Sequence, residues 1–425
     1  MIWIGLLLFG LFFTLLLLEI PVAFSLGLSA VTVIFVFQLE SPVIIAQQMF
    51  SAMDSYNLLA IPLFLVAGCL ISEGTLAKRL LDFVLSAVGR FRGGTAVVTV
   101  IVSLLFAGIS GSGPADVAAL SVLLFPLLTQ SGFPAPRSAA LLAAGGGIGI
   151  IVPPSIALII YGVVSETSIS KLFVAGIIPG ILVTLALIFA VLFLSRRDHL
   201  PLHTPSLTPS AIGGAALAMM APIIILGGIY LGIFTPTESA GAAVLYILTV
   251  DLIFYRSLFR KGVFSRVLTR SGRSSAQILM IIAGGSLFSW VLQRTDLTTE
   301  LSRLILTVSQ NRIILILLLN GFLLIMGCFI DAVSIIYIFV PIFMPVLNNV
   351  GIDPIHFGVI LTVNMAIGQI TPPVGVNLFV SSTISGIDVG RLSRAVFPFL
   401  LAELAALVIV SLVPSLSLFL PGYLN

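Results

Sequence analysis

Charged side chains are scarce in this chain. Of its 425 residues, 19 are Lys or Arg and 16 are Asp or Glu, so 8% are charged, whereas 59% are hydrophobic. Soluble domains carry about 25% charged residues, and the mean hydropathy here is +1.25. So little charge excludes a soluble protein, and the sequence therefore predicts a chain that crosses a membrane many times.

Cysteine is rare as well. Cys69 and Cys328, the two cysteines, both lie inside apolar runs, so the sequence supports neither a disulfide framework nor a cysteine-ligated metal site. The segment from Met1 to Leu18 contains no Lys or Arg and no small-residue cleavage site. It therefore differs from a secretory signal peptide, and we predict that it forms the first span.

Glycine and proline, by contrast, are abundant, with 38 and 23 copies. Both residues interrupt helices, and a membrane tolerates an interrupted helix only where the freed backbone is buried in protein or lines a cavity. The composition therefore indicates broken helices around a transport path rather than a plain bundle of straight spans.

Hydropathy divides the chain into long and short apolar runs. A transmembrane helix needs about 20 residues, and eight runs approach that length: 2–18, 20–37, 55–73, 172–195, 211–232, 238–255, 274–292 and 395–420. Eight shorter runs are predicted to form re-entrant hairpins and broken helices: 94–109, 117–130, 138–151, 155–165, 313–329, 333–349, 357–370 and 374–385. The segment from Arg256 to Arg273 holds six basic residues and no acid, so we predict a cytoplasmic loop there.

An internal repeat is the most informative feature. When the sequence is aligned with itself at one constant shift, seven glycines and prolines of the first copy match identical residues of the second. The matches are Gly108 on Gly327, Pro126 on Pro345, Gly132 on Gly351, Gly149 on Gly368, Pro153 and Pro154 on Pro372 and Pro373, and Pro179 on Pro398. Composition alone predicts about one such identity over this stretch. The two copies are predicted to have opposite orientations, and inverted repeats place substrate and ion sites near the bilayer midplane.

The repeat divides the chain into four predicted parts. Residues 1–54 form N-terminal scaffold helices, 55–195 the first repeat, 196–273 central scaffold helices with cytoplasmic loops, and 274–425 the second repeat. The first repeat contains a hairpin at 94–130 and a broken helix at 138–165, and the second contains a hairpin at 313–349 and a broken helix at 357–385. Gly74–Phe91 and Asp296–Arg312 mix charges with apolar residues at helical spacing, so each is either an interfacial helix or an ordinary loop.

The first candidate site lies at the tip of the first hairpin. Glycine and proline break the helix there, while Ser110, Ser112 and Asp116 supply oxygen atoms. A carboxylate inside a membrane is costly and is a functional candidate by default. Na⁺ is a hard cation that prefers oxygen ligands, as Ca²⁺ and Mg²⁺ do. We predict that these side chains, with backbone carbonyls near Gly149, hold Na⁺.

The second copy offers a similar set at its own tip and break. Asp331 and Ser334 stand at the tip, and Gly368 and Thr371 precede the Pro372–Pro373 break. Two prolines remove two backbone donors, so carbonyls upstream lose their partners and can face a cation. The following half-helix presents its positive end to an anionic substrate. The predicted substrate-binding residues are Gly111, Pro154, Ser155, Pro373 and Asn377.

Structural explanations stand beside these functional ones. An Asp at a tip can simply cap a half-helix, and a proline kink can be purely mechanical. Thr235-Pro236-Thr237-Glu238 has the pattern of a capping box, so we predict a structural role for Glu238. The three histidines, His199, His203 and His356, fall in predicted loops and are poor candidates for a proton relay.

Together these motifs resemble the large membrane subunit of TRAP (tripartite ATP-independent periplasmic) transporters. The resemblance rests on the Ser110-Gly111-Ser112 tip with Asp116, the two Pro-Pro breaks, and the segments 60–64 and 232–240, and it extends over nearly the whole chain. It implies an all-α, inverted-repeat fold of the elevator type, in which a transport domain slides against a scaffold. It also implies that Ser110 and Asp116 help hold one Na⁺ and that Asp331 and Thr371 help hold another.

The same resemblance implies partners. A periplasmic substrate-binding protein would deliver a small carboxylate, a small membrane subunit would pack on the scaffold, and the location would be the bacterial inner membrane. Na⁺ is then the coupling ion, with no organic cofactor and no enzymatic activity. One alternative is a standalone Na⁺/carboxylate symporter. A remote alternative is an intramembrane aspartyl protease using Asp116 and Asp331, although the repeat pairs Asp331 with Ser112 rather than with the other Asp.

Overall fold

The computed structural model describes residues 2–88, 93–197 and 209–423, and throughout these ranges the regular structure is helical. His199 and His203 lie outside the described residues. The α-helices are α1 (Ile2–Leu17), α2 (Val22–Val36), α3 (Val43–Met53), α4 (Ala60–Glu73), α5 (Leu76–Val88), α6 (Gly94–Ser110), α7 (Gly113–Gln130), α8 (Ala135–Ile151), α9 (Ile156–Val164), α10 (Ile169–Arg197), α11 (Pro209–Tyr230), α12 (Pro236–Val250), α13 (Val263–Arg294), α14 (Leu297–Val308), α15 (Arg312–Gly327), α16 (Ala332–Val350), α17 (Pro354–Gly368), α18 (Val376–Ser385), α19 (Val389–Ala395), α20 (Phe397–Leu412) and α21 (Ser415–Leu418).

Seven of the described helical segments are long and apolar enough to cross a membrane. The number rises to nine if each of two bent helix pairs is counted as one span. One of the seven is α7, which begins at Gly113, ahead of the predicted apolar run. Of the polar tip residues, Ser110 ends α6, Ser112 occupies the N-cap position of α7, and Asp116 lies in its first turn. Asp116 lies inside this helix rather than in a loop before it.

Local capping signals set several helix starts. Thr235 accepts a hydrogen bond from the Glu238 N–H at 3.3 Å, and the Glu238 carboxylate accepts one from the Thr235 N–H at 2.7 Å. These two bonds complete the predicted capping box of α12, and the structural role of Glu238 is confirmed. Asn311 and Asp353 cap α15 and α17 in a similar way, satisfying donors that the first helical turn leaves unpaired.

The predicted repeat is visible in the helix bounds. The hairpin α6–α7 corresponds to α15–α16, and the broken helix α8–α9 corresponds to α17–α18. Under the shift that places Gly108 on Gly327, each of these helices begins at the start of its counterpart or at the adjacent position. The two hairpins and two broken helices predicted from the sequence are therefore present.

Contacts between the copies follow an approximate two-fold axis. Such an axis requires that each contact has a mate with the copies exchanged. Gly147 packs against Ala366, its own equivalent in the repeat. Ser381 donates a hydrogen bond to the carbonyl of Ala139 at 2.7 Å. The mate of this contact pairs Gly162 with Gly358, and Gly358 packs against the ring of the adjacent Tyr161. The two broken helices thus meet at the centre of the pair of repeats.

The segment predicted as a cytoplasmic loop from Arg256 to Arg273 is largely helical, and that prediction was wrong in part. Helix α13 already begins at Val263 and runs for 32 residues to Arg294, or about 48 Å at 1.5 Å per residue. Arginine and lysine are good helix formers, so charge ends the apolar run without ending the helix. The basic end of α13 extends past the apolar run into the region that was assigned to the loop.

His356 was also misplaced by the sequence analysis. It lies in the first turn of α17, which Asp353 caps and Pro354 begins, and its side chain is fully buried. The segments 74–91 and 296–312 contain the helices α5 and α14, and α14 meets α15 at an angle of 119°. Their placement along the membrane surface stays a prediction.

Candidate functional site

A cavity of about 740 Å³ lies where both hairpin tips and both helix breaks converge. The first copy lines the cavity with its tip from Ser110 to Asp116 and with Ile150, Ile156 and Ala157, which flank the first break. The second copy contributes Asp331–Val333 and Gln369, and α2, α4 and α13 also line the cavity. Residues from the two repeats thus share one space.

The backbone of the first tip is folded tightly against the first break. Gly111 has a φ of +67°, a conformation that glycine adopts at little cost. A Cβ at this position would overlap the carbonyl oxygen of Pro154. The N–H of Ile156 donates to the carbonyl of Gly111 at 3.2 Å. Glycine therefore permits the close approach that joins the tip to the start of α9.

Asp116 is the central acid of this first cluster. Its side chain is 1% exposed, and its Oδ1 accepts a hydrogen bond from the Ser110 hydroxyl. Its Oδ2 is buried and has no protein partner. The carboxylate faces Gly149 closely enough that a Cβ there would overlap it, with the Ser112 backbone beside them. The structure thus brings together Ser110, Ser112, Asp116 and Gly149.

The second cluster is built differently. Asp331 caps α16, with Oδ1 accepting from the Ser334 N–H at 3.1 Å and Oδ2 accepting from the Ser334 hydroxyl at 2.7 Å. Gly368 packs against the backbone of Gly327, and the Thr371 hydroxyl donates to the Ile367 carbonyl at 2.7 Å. Asp331 therefore serves as a helix cap, and both of its oxygens already have partners.

The second tip nevertheless packs on its own break as the first tip does. The N–H of Gly375 donates to the carbonyl of Cys328 at 3.4 Å, and Gly375 is the repeat equivalent of Ile156, which bonds the first tip. Because each tip is tied to the break in its own copy, the repeats build two similar tip-and-break units around the shared cavity.

The predicted substrate residues divide into two groups. Gly111 lines the cavity, whereas Pro154, Ser155, Pro373 and Asn377 are absent from the described wall of the cavity. Ser155 is buried and caps α9. Asn377 is also buried, and its amide donates to the Ala143 carbonyl at 3.2 Å. Pro373 is exposed.

Several cavity residues escaped the sequence analysis. Arg270, Ser274 and Gln277 line the cavity from α13, and Glu73 at the end of α4 forms an ion pair with Arg270. The spacing of 270, 274 and 277 is that of one helix face. The predicted loop ends at residue 273, so it separates Arg270 from Ser274 and Gln277 and hides their common helix face.

A buried polar chain behind the second break was missed as well. Asn364 donates to the Asn320 side chain at 2.8 Å, and Asn320 donates to the Ser411 hydroxyl at 2.8 Å. These bonds join α17, α15 and α20. The three residues are far apart along the chain, so no local pattern predicts their meeting.

Comparison with known proteins identifies the family. The model of the family described as "Tripartite ATP-independent periplasmic transporter, DctM component" matches residues 9–416. The chain belongs to this DctM family. It is accordingly a multi-pass membrane protein of a transporter permease family and not an enzyme, so the predicted resemblance is confirmed and the protease alternative is excluded.

Individual DctM relatives match over nearly their full length. The C4-dicarboxylate TRAP transporter large permease protein DctM of Pseudomonas aeruginosa is 40% identical over 404 residues, covering 94% of each chain. The sialic acid TRAP transporter large permease protein SiaM of Vibrio cholerae is 36% identical over 422 residues, covering 99% of this chain and 96% of its own. The two relatives are named for different acids.

A solved structure supports the fold alone. The YdaH transporter of Alcanivorax borkumensis, whose crystal structure is described as having an unusual topology, superposes with a TM-score of 0.64. The match covers 87% of this chain and 86% of that one at 16% identity. The overall fold of the chain is therefore similar to that of a transporter of quite different sequence.

Proposed function

We propose that this DctM-family chain is the membrane subunit of a Na⁺-coupled secondary transporter that imports a small organic acid. The observation that carries the proposal is the buried Asp116 carboxylate, whose Oδ2 lacks a protein partner beside the cavity. A buried ionised oxygen without a partner is strongly destabilising. A bound cation offsets that cost, and a hard cation such as Na⁺ suits oxygen donors.

The residues around Asp116 fit such an ion. The Ser110 hydroxyl contacts the carboxylate and the backbones of Ser112 and Gly149 lie close to it, and we propose that this set holds one Na⁺. We propose a second ion near Asp331, Ser334, Gly368 and Thr371. Asp331 keeps spare acceptor capacity there, because an ionised carboxylate accepts about four hydrogen bonds or ligands.

We place the acid in the cavity between the tips and the breaks. The predicted Pro154, Ser155, Pro373 and Asn377 then act from behind the cavity wall, while Gly111 faces the substrate directly. Family membership supports delivery by a periplasmic substrate-binding protein, a small membrane subunit as partner, and an inner-membrane location. The inverted repeat supports an elevator motion of hairpins and broken helices against the remaining helices.

Thermal stability in different cations tests the proposal without knowledge of the acid. The purified protein, with its small subunit where needed, is melted in Na⁺, K⁺ and choline at matched ionic strength. We expect Na⁺ alone to raise the Tm and Asp116→Asn to lose much of that rise. Asp388→Asn is the matched control, because Asp388 caps α19 away from the cavity. Equal Tm in Na⁺ and K⁺ would refute Na⁺ coupling.

The standalone symporter is the alternative within the same class. It differs only in the source of the substrate, so uptake into proteoliposomes with and without the binding protein separates the two. We expect uptake to require the binding protein. Full activity in its absence would overturn the tripartite assignment.

A further inference from the structure

The cavity wall has an unusual charge balance. Its charged residues, within the described chain, are Asp116 and Asp331 on the two tips and Arg270 on α13. Two carboxylates face any acid that enters, and a third negative charge beside them is repelled unless positive partners are present. Bound cations would neutralise the tips. Arg270 is the one fixed positive charge on the described wall that can face the acid itself.

The ion pairs around Arg270 allow it to exchange one carboxylate partner for another. Glu73, at the last residue of α4, is paired with Arg270 and also with Arg266, whose Nε lies 3.4 Å away. Two guanidinium groups thus share one carboxylate. The Arg270 side chain is 53% exposed, although it contributes to the cavity wall, whereas Arg266 does not line the cavity.

We propose that Arg270 binds the acidic group of the transported acid and that Glu73 competes for the same guanidinium. This inference rests on the proposed function. A guanidinium presents its donors in a planar fork that matches a carboxylate in two parallel hydrogen bonds. The acid then bridges α13 and the hairpin tips. Its departure returns Arg270 to Glu73, so the arginine is not left without a charged partner.

Acid titrations of the purified full-length protein test the inference. The Tm is recorded in saturating Na⁺ against rising acetate, succinate, gluconate and N-acetylneuraminate at constant ionic strength. For an acid that stabilises the wild type, Arg270→Gln should raise the half-saturating concentration at least about tenfold, because it removes hydrogen bonds to a charged group. Arg270→Lys should recover part of that loss, since it keeps the charge without the fork. Glu73→Gln should lower the half-saturating concentration several-fold.

Arg266→Gln is the matched control. It removes the other guanidinium that contacts Glu73, so a purely structural role of the ion pairs predicts similar effects for both arginines. We expect Arg266→Gln to titrate like the wild type. An unchanged half-saturating concentration in Arg270→Gln, equal shifts in the two variants, or no response of the wild type to any acid would each overturn the inference. The response to Na⁺ without acid is measured separately, so failure of Na⁺ coupling is distinguished from failure at Arg270.

Discussion

Gly149→Ala is the most direct test of the Asp116 cluster. The added methyl group would overlap the Asp116 carboxylate, and it would also lie 3.6 Å from the Ser112 carbonyl carbon. Either the carboxylate moves away, which weakens ion binding, or it stays and the packing is strained. Overpacking of this kind costs about 1–3 kcal/mol, which corresponds to roughly a 5- to 150-fold loss of affinity. We therefore expect the half-saturating Na⁺ concentration to rise within that range.

The assay is the same Tm titration with NaCl replacing KCl, and Gly108→Ala is its control. A Cβ on Gly108 would lie 3.5 Å from the nearest atom, the Cβ of Pro222, which is an ordinary contact. Alanine is a better helix former than glycine by up to about 1 kcal/mol, so the control should melt slightly higher with unchanged Na⁺ dependence. Wild-type Na⁺ affinity in Gly149→Ala would refute the placement of an ion at the Asp116 carboxylate.

Three further substitutions test other parts of the site. Asp331→Asn should abolish Na⁺-driven uptake with little change of Tm in K⁺, because Asn caps a helix as well as Asp does. Asp331→Ala should lower the free energy of unfolding by about 1 kcal/mol more, through loss of the cap. Wild-type uptake by Asp331→Asn would remove Asp331 from the site. Pro372→Ala should reduce uptake more than Pro236→Ala, since Pro236 begins α12, where a missing N–H has little effect. Equal uptake rates for the two variants would contradict the broken-helix argument. Asn320→Leu should lower the free energy of unfolding by about 1–2 kcal/mol. The measurement compares its Tm with that of Asn348→Leu, a change at an exposed position. Equal Tm values would contradict a stabilising role for the polar chain.

Periodicity and capping chemistry explain what the sequence could predict. The repeat of glycines and prolines constrains where helices must break, so it located both hairpins and both broken helices. The capping box at Thr235 and Glu238 is a local pattern with one geometric solution. Asp353 followed by Pro354 is a helix-start signal of the same kind, and using it would have placed His356 in a helix.

What could not be predicted depends on helix length and tertiary contact. Hydropathy marks where a chain leaves the lipid but not where a helix ends, so the basic start of α13 and the cavity residue Arg270 were assigned to a loop. The meeting of Asn320, Asn364 and Ser411 depends on the packing of three helices. The way the tips fold over the breaks likewise keeps three predicted residues off the described cavity wall: Pro154, Ser155 and Asn377. Residue type alone does not encode this folding.

The two copies of the repeat are equivalent in backbone but not in chemistry, and this difference leads to a final prediction. The shift that superposes the copies pairs Asp331 with Ser112 and Asp116 with Ile335, so each copy carries its carboxylate at a different position. Asp116 offers an unpaired oxygen, whereas both oxygens of Asp331 already accept bonds from Ser334.

An ion at Asp116 therefore gains a ligand that nothing else satisfies, while an ion at Asp331 must share or displace existing hydrogen bonds. We expect Asp116→Asn to remove more of the Na⁺-dependent rise in Tm than Asp331→Asn does, even though transport requires both carboxylates. The measurement is the difference in Tm between Na⁺ and K⁺ for each variant. The opposite order would mean that the cap carboxylate is the stronger ligand, and the unpaired oxygen of Asp116 would then need an explanation other than Na⁺.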